Sequence, residues 1–319
     1  MIVTVTLNAA LDRTLTVPNF QRGQRHRASQ ALTLAGGKGI NIARALKRLV
    51  VPVVATGLAG GRTGTRIVEE LTSEAILNDF VRIADESRTS TAVVDPTTNT
   101  YTEINEWGPH VSAAELDMLR DKLHYLARGA DMVVFAGTLP RGVEPEFYGE
   151  AIRELNRRGV HTALDSEGQP LRLGIEAEPF LVSPNQREAE SIVGQEFHDE
   201  QDFAAALHDL AELGARNVAI SLEAGCYALV RGERGRPKRY RATTPRVEPV
   251  SAVGAGDVLL AALVAGLAEG TGVEEVLRRA VAAGTASTLE VGAGRLDPKE
   301  ISRLAASVDV TELEPVAVE

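Results

Sequence analysis

Much of what the sequence lacks can be read before what it contains. Of 319 residues one is cysteine, Cys226, which excludes an intrachain disulfide framework and a cysteine-rich zinc site. Histidine occurs six times, without the spacing of metal ligands. Positive charge is not in excess. The formal net charge is −10, which argues against a general nucleic-acid-binding surface. The basic turn Arg22–Arg27 therefore reads as a solvated loop, and the arginine-rich stretch 231–241 as a solvated β-hairpin. No apolar run is long and unbroken enough to span a bilayer, the nearest being 258–267. No basic leader precedes the strand-like start at 1–8, so a cytoplasmic protein without a membrane partner is expected. No GxxxxGK[ST] occurs, which excludes a P-loop kinase.

What is present is ordinary for a protein with a large core, at 44% hydrophobic and 24% charged residues. The length suits one α/β unit over 1–319. Residues 2–7, 52–56, 131–136, 161–164, 180–182 and 217–222 read as buried strands, with helices such as 145–158 between them. This alternation predicts an α/β fold with a mostly parallel sheet and helices on both faces. In such sheets ligands sit at the carboxyl edge of the strands, where Asn8, Asp12, Gly57, Gly137, Asp165, Asn185 and Glu188 fall. Residues 13–17, 30–34, 89–95 and 100–104 instead alternate polar and apolar, as half-exposed strands do. They predict a second, small sheet made from two insertions, about 12–35 and 88–106. Its apolar face would be uncovered in a monomer, so a homodimer joined through these strands is expected. The acidic tail, 308–319, is expected to fray.

Two glycine turns carry the chemistry. Gly254-Ala255-Gly256-Asp257 precedes the apolar run 258–265. Glycines on both sides of Ala255 allow a tight turn that opens a helix and points unpaired N–H groups at one spot, an anion site. Asp257 falls in the first helical turn, beside that site. A base next to an anion cradle is what phosphoryl transfer to an alcohol requires. The second turn, Gly36-Gly37-Lys38-Gly39, is followed by Ile42, Ala45, Leu46 and Leu49 at helical spacing. It makes another anion-friendly helix start, with Lys38 as a point charge and Asn41 facing the same mouth. Two such starts suit a reaction between two phosphate-bearing ligands. Gly254-Ala255-Gly256 lacks the third glycine of a dinucleotide fingerprint and lies late in the chain, which disfavours an oxidoreductase.

These two motifs in this order resemble the signatures of the PfkB (ribokinase-like) family of carbohydrate kinases. The resemblance extends through Leu7-Asn8-Ala9-Ala10-Leu11-Asp12, Gly137-Thr138-Leu139-Pro140, Asp165-Ser166-Glu167-Gly168 and Pro184-Asn185-Gln186-Arg187-Glu188. Lys38, Ser87-Arg88-Thr89 and the stretch 102–109 resemble the family's phosphosugar branch. The resemblance implies a three-layer α/β/α sandwich with a small β lid, ATP and Mg²⁺ as cofactors, and dimers that pair through the lids. It implies Asp257 as general base, with Gly254, Ala255 and Gly256 as the anion hole. Asn8, Asp12, Gly37, Asn41, Gly137 and Thr138 would bind the sugar. Lys38 and Arg88 would hold the phosphate the sugar already carries, with Arg27 reaching in from the lid. Asn185, Ser221, Glu223 and Gly225 would line the nucleotide, and Glu188 and Asn185 would order Mg²⁺.

Some positions differ from the family pattern. Ala9 stands in a proline position, Thr138 in a serine position, and Ser251-Ala252 and Val258 depart around the C-terminal signature. In the nucleotide loop Glu223 takes a glycine position and Gly225 comes one place early. The implied activity is ATP-dependent phosphorylation of a ketohexose phosphate, such as fructose 1-phosphate, fructose 6-phosphate or tagatose 6-phosphate, to the bisphosphate. The alternatives are a kinase for an unphosphorylated sugar or nucleoside and a silent sugar-phosphate sensor. Lys38 and Arg88, which a neutral sugar would leave without an anion, speak against the first. An intact Asp257 speaks against the second.

Overall fold

The computed structural model describes residues 1–231 and 237–314. Its elements run β1 (Ile2–Thr6), β2 (Ala10–Thr16), β3 (Gln30–Gly36), α1 (Lys38–Arg48), β4 (Val53–Gly60), α2 (Gly61–Ser73) and β5 (Leu77–Ile83). Then come β6 (Arg88–Asp95), β7 (Thr100–Asn105), α3 (Ala113–Ala127), β8 (Met132–Ala136), α4 (Phe147–Arg157), β9 (His161–Asp165), α5 (Gly168–Ile175) and β10 (Leu181–Val182). The chain continues through α6 (Gln186–Val193), α7 (Glu200–Leu213), β11 (Asn217–Leu222), β12 (Gly225–Val230) and β13 (Lys238–Thr243). It closes with α8 (Ala255–Ala268), α9 (Val273–Ser287), α10 (Pro298–Ala305) and β14 (Asp309–Glu312).

Ten strands form the main sheet in the order β14-β13-β12-β11-β10-β9-β8-β1-β4-β5. From β11 to β5 every pairing is parallel, and β12, β13 and β14 add antiparallel strands. The apolar strands are explained by burial on both faces. On β8, Met132, Val134 and Ala136 face one core while Val133 and Phe135 face the other. Helices α1, α2, α8, α9 and α10 contribute to the first core and α3 to α7 to the second, giving three layers. Helix α8 packs between α1 and α9, which is why 258–265 is apolar on every side. Among the described residues no helix is long and apolar enough to cross a membrane.

The second sheet has the order β3-β2-β6-β7. Its central pair β2–β6 is parallel and the outer pairs are antiparallel. At its far end the Asp95 carboxylate accepts from the backbone N–H groups of Asn19, Phe20 and Thr97 and from the Thr98 hydroxyl. This ties the β2–β3 loop to the β6–β7 turn.

Two expectations need correction. The 231–241 stretch is more than a solvated hairpin: β13 is an interior strand of the main sheet, with Tyr240 and Ala242 buried. Residues 232–236 lie outside the described residues. The acidic tail does not simply fray, because β14 pairs with β13 from Tyr240–Glu312 to Thr243–Asp309 and Val308 is buried; 315–319 lie outside the described residues.

Candidate active site

A cleft of about 920 Å³ opens between the carboxyl edge of the main sheet and the small sheet, which forms its lid. Asp12, Gly37, Lys38, Asn41, Arg88, Asn185, Glu188, Ser221, Glu223, Gly225 and the turn from Gly254 to Asp257 all line it. Residues separated by more than half the chain therefore meet in one cleft.

Gly254 is left-handed, with φ 80°, and caps α8. A Cβ there would come within 2.8 Å of the Ala293 side chain, so both backbone shape and packing favour glycine. Helix α8 opens at Ala255 and places Asp257 in its first turn, only 5% exposed. Asp257 Oδ2 accepts from Asn41 Nδ2 at 2.7 Å. Burial, then the nearby Asp165 charge, push the Asp257 carboxyl up to about 7, against the opposing pull of Lys38 and Asn41. Across the cleft the lid strand β2 brings in Asp12, which burial raises to about 6 despite the Arg88 guanidinium. Gly36 makes room for it, since a Cβ there would lie 1.9 Å from Asp12 Oδ2.

Lys38, the first residue of α1, points its ammonium at two acids. Nζ lies 2.6 Å from Asp165 Oδ1 and 3.3 Å from Glu188 Oε1. Burial alone would lower its pKa, but Asp165, Glu188 and Asp257 more than offset that and keep it charged. Glu188 and Asn185 form a capping box at the start of α6. Asn185 Oδ1 accepts from the Glu188 N–H at 2.9 Å, and Glu188 Oε2 accepts from the Asn185 N–H at 2.8 Å. The other Glu188 oxygen meets Lys38. Burial raises the Glu188 pKa, with Lys38 opposing. The ammonium that the family resemblance assigned to a sugar-borne phosphate is thus held by the acids at the ends of β9 and α6.

Arg88 opens β6 on the lid side, donating from Nε to the Asn8 carbonyl at 3.2 Å and from Nη1 to Asn105 Oδ1 at 3.4 Å. Asn8 in turn donates to Thr138 Oγ1 at 3.1 Å. Gly137 sits beside the base of Lys38, and its carbonyl accepts from Tyr148 and Ser166. Arg27 is exposed in the β2–β3 loop and is not part of the cleft wall. On the opposite side Ser221 is the last residue but one of β11, and Glu223-Ala224 forms a two-residue turn into β12 at Gly225. Val247, Leu259 and Val281 supply an apolar wall there. The sequence puts Asp165 at the sheet edge, Glu103 and Asn105 in the 102–109 stretch and Ser90 in the 89–95 strand without giving any of the four a role, yet all line the cleft. The lid strands' alternation was the available signal, since every second residue there must face the cleft.

The model of the pfkB family of carbohydrate kinases matches residues 3–300. The chain belongs to this family. It is 33% identical over 316 residues to the 1-phosphofructokinase of Rhodobacter capsulatus, covering 99% of each chain. It is 29% identical over 317 residues to a tagatose-6-phosphate kinase of Staphylococcus epidermidis, covering 98% of this chain and 100% of that one. Among solved structures, Escherichia coli phosphofructokinase-2 in complex with substrates and products superposes with a TM-score of 0.88 at 29% identity, covering 96% of this chain and 98% of that one. The ribokinase-like α/β/α sandwich expected from the pfkB motifs is the fold found.

Proposed function

We propose that the protein transfers the γ-phosphoryl group of ATP to a free hydroxyl of a ketohexose phosphate, releasing ADP and a bisphosphate. The observation that carries this reading is a raised, buried carboxylate, Asp257, at a glycine turn, in contact with Asn41 and sharing one cleft with Asp12 and Arg88. Asp257 would accept the attacking hydroxyl's proton. The N–H groups from Gly254 to Asp257 would stabilise charge on the transferring phosphoryl group. Asp12 and Asn41 would hold sugar hydroxyls, and Arg88 would hold the phosphate the sugar brings. The relatives' names, 1-phosphofructokinase and tagatose-6-phosphate kinase, support a phosphorylated ketohexose over a neutral sugar. ATP would lie along Ser221, Glu223 and Gly225, its base against Val247, Leu259 and Val281. Such a reaction belongs in the cytoplasm, where ATP and sugar phosphates meet.

Among the described residues no three acidic, histidine or cysteine side chains converge as a metal cage. Glu188 and Asp165 both meet Lys38, and Glu188 belongs to the capping box expected to face the nucleotide. This donor set fits Mg²⁺ arriving with the nucleotide, an ion that keeps several waters and takes few carboxylates. Once bound, it would neutralise charge on the triphosphate. Lys38 would then stand next to the same phosphates, so Lys38→Met is expected to raise KM for ATP more than KM for the sugar phosphate. A change confined to the sugar's KM would return Lys38 to the sugar end.

A coupled ADP-release screen with Mg-ATP over fructose 1-phosphate, fructose 6-phosphate and tagatose 6-phosphate tests the proposal. Turnover of none of the three, with a neutral sugar or nucleoside phosphorylated instead, would reject it. The acidic limb of kcat/KM, which reports the free enzyme, should titrate near pH 7. Asp257 acts only when deprotonated, and its pKa is raised to about 7, so activity falls as pH drops below that value. A limb near pH 4 would mean that the base is an ordinary exposed carboxylate. For assembly, a homodimer joined through the lids is the natural cover for the lid's exposed Tyr101 and Ile104, 44% and 63% exposed. Light scattering is expected to show a dimer at micromolar concentration and a monomer for Ile104→Glu; a wild-type monomer with full activity would rule the dimer out.

A further inference from the structure

Lys38, Asn41 and Arg44 follow one another at three-residue steps along a ridge of α1. The first two line the cleft, whereas Arg44 lies behind it and is 2% exposed. Its guanidinium grips Glu74 through Nε at 2.6 Å and Nη2 at 2.9 Å. Nη2 also donates to the Ala35 carbonyl at 2.8 Å, and Nη1 donates to the Ala293 carbonyl at 3.1 Å and to Asn41 Oδ1 at 3.4 Å. One side chain thus joins the end of α2, the root of the lid, the loop after α9 and the residue that contacts Asp257. That loop packs closely on the site. Cβ atoms at Gly254 and Gly294 would lie 2.8 Å from the Ala293 Cβ and 2.5 Å from the Asn41 carbonyl oxygen.

A buried guanidinium is costly to desolvate, and an apolar residue could fill the same space. Its geometry does something an apolar residue cannot. A guanidinium only donates and a carboxylate only accepts. The Asn41 amide lies between the two, so it is satisfied in one orientation: Oδ1 toward Arg44 and Nδ2 toward Asp257. We infer that Arg44 is a positioning residue for phosphoryl transfer, holding the Asn41 amide so that it donates to Asp257. This rests on the reading of Asp257 as the general base.

A double-mutant cycle between Arg44 and Asn41 tests it. Arg44→Lys keeps the charge but not the fork. With the hydrogen bond to Asn41 lost, kcat is expected to fall about tenfold, with KM for ATP nearly unchanged. The acidic limb should move to higher pH, because the bond from Asn41 favours the charged carboxylate. The other groups bearing on Asp257, namely Asp165, Asp12 and Lys38, are the same in the variant. In an Asn41→Ala background, Arg44→Lys should change kcat little, since the route through the amide is already gone. Effects that simply multiply, with the acidic limb unmoved, would reduce Arg44 to a structural clamp and overturn the inference. Should Arg44→Lys fail to fold, Glu74→Gln loosens the fork from its more exposed side and is carried through the same cycle with the same two outcomes. Failure of the underlying reading shows separately, as full turnover by Asp257→Asn.

Discussion

Asp257→Asn is expected to lower kcat by ~10²–10⁴-fold while leaving the Kd of ATP and of the sugar phosphate nearly unchanged. The amide has the carboxylate's shape and can still contact Asn41, which donates to Oδ2 at 2.7 Å. It cannot take a proton from the attacking hydroxyl. Single-turnover rates together with ligand affinities by calorimetry separate the two quantities. A variant that binds both ligands and turns over at near wild-type rate would show that Asp257 serves only the start of α8. Because burial and Asp165 raise the Asp257 carboxyl to about 7, its conjugate acid is matched to a neutral operating pH, where general-base catalysis is most effective.

Arg88→Met is expected to weaken use of the phosphorylated ketohexose by ~10- to 150-fold in kcat/KM, the equivalent of one charge-assisted contact to a phosphate dianion. Activity on the parent ketohexose and KM for ATP should change little. The structure concentrates this prediction on Arg88. Lys38 is already committed to Asp165 and Glu188, whereas Arg88 faces the lid end of the cleft beside Asp12 and is held there by the Asn8 carbonyl and Asn105. The assay compares each phosphosugar with its parent hexose. Equal losses on both would mean that Arg88 supports the lid and does not read the phosphate. A wild type that prefers the parent hexose would move the protein to another substrate class.

The division between what was legible and what was not follows the range of the forces involved. The two glycine turns could be read directly because they are local. Positive φ at Gly37 and Gly254 is demanded within a few residues of each helix start, and the helical spacing follows at once. The central strands could be read because burial on both faces leaves near-continuous apolar runs. Strands β5 and β14 were harder. Leu77 is 70% exposed and β14 carries Asp309 and Glu312, so neither segment shows the apolar signal of a central strand, and their place depends on which neighbour offers an unpaired edge.

By itself the sequence determined the α/β class, the separate alternating strands of the lid, the pfkB membership that the family match bears out, and the candidate base beside its anion turn. Only the tertiary structure decided which charges meet. Lys38 is paired with Asp165 and Glu188, 127 and 150 residues away along the chain. Arg27 is left exposed, and Arg44 reaches Ala293 across 249 residues. Coulombic and hydrogen-bond partners are chosen by distance in space, and sequence motifs record only neighbours along the chain; the glycine turn carries Lys38, but β9 and α6 bring the two carboxylates that it meets.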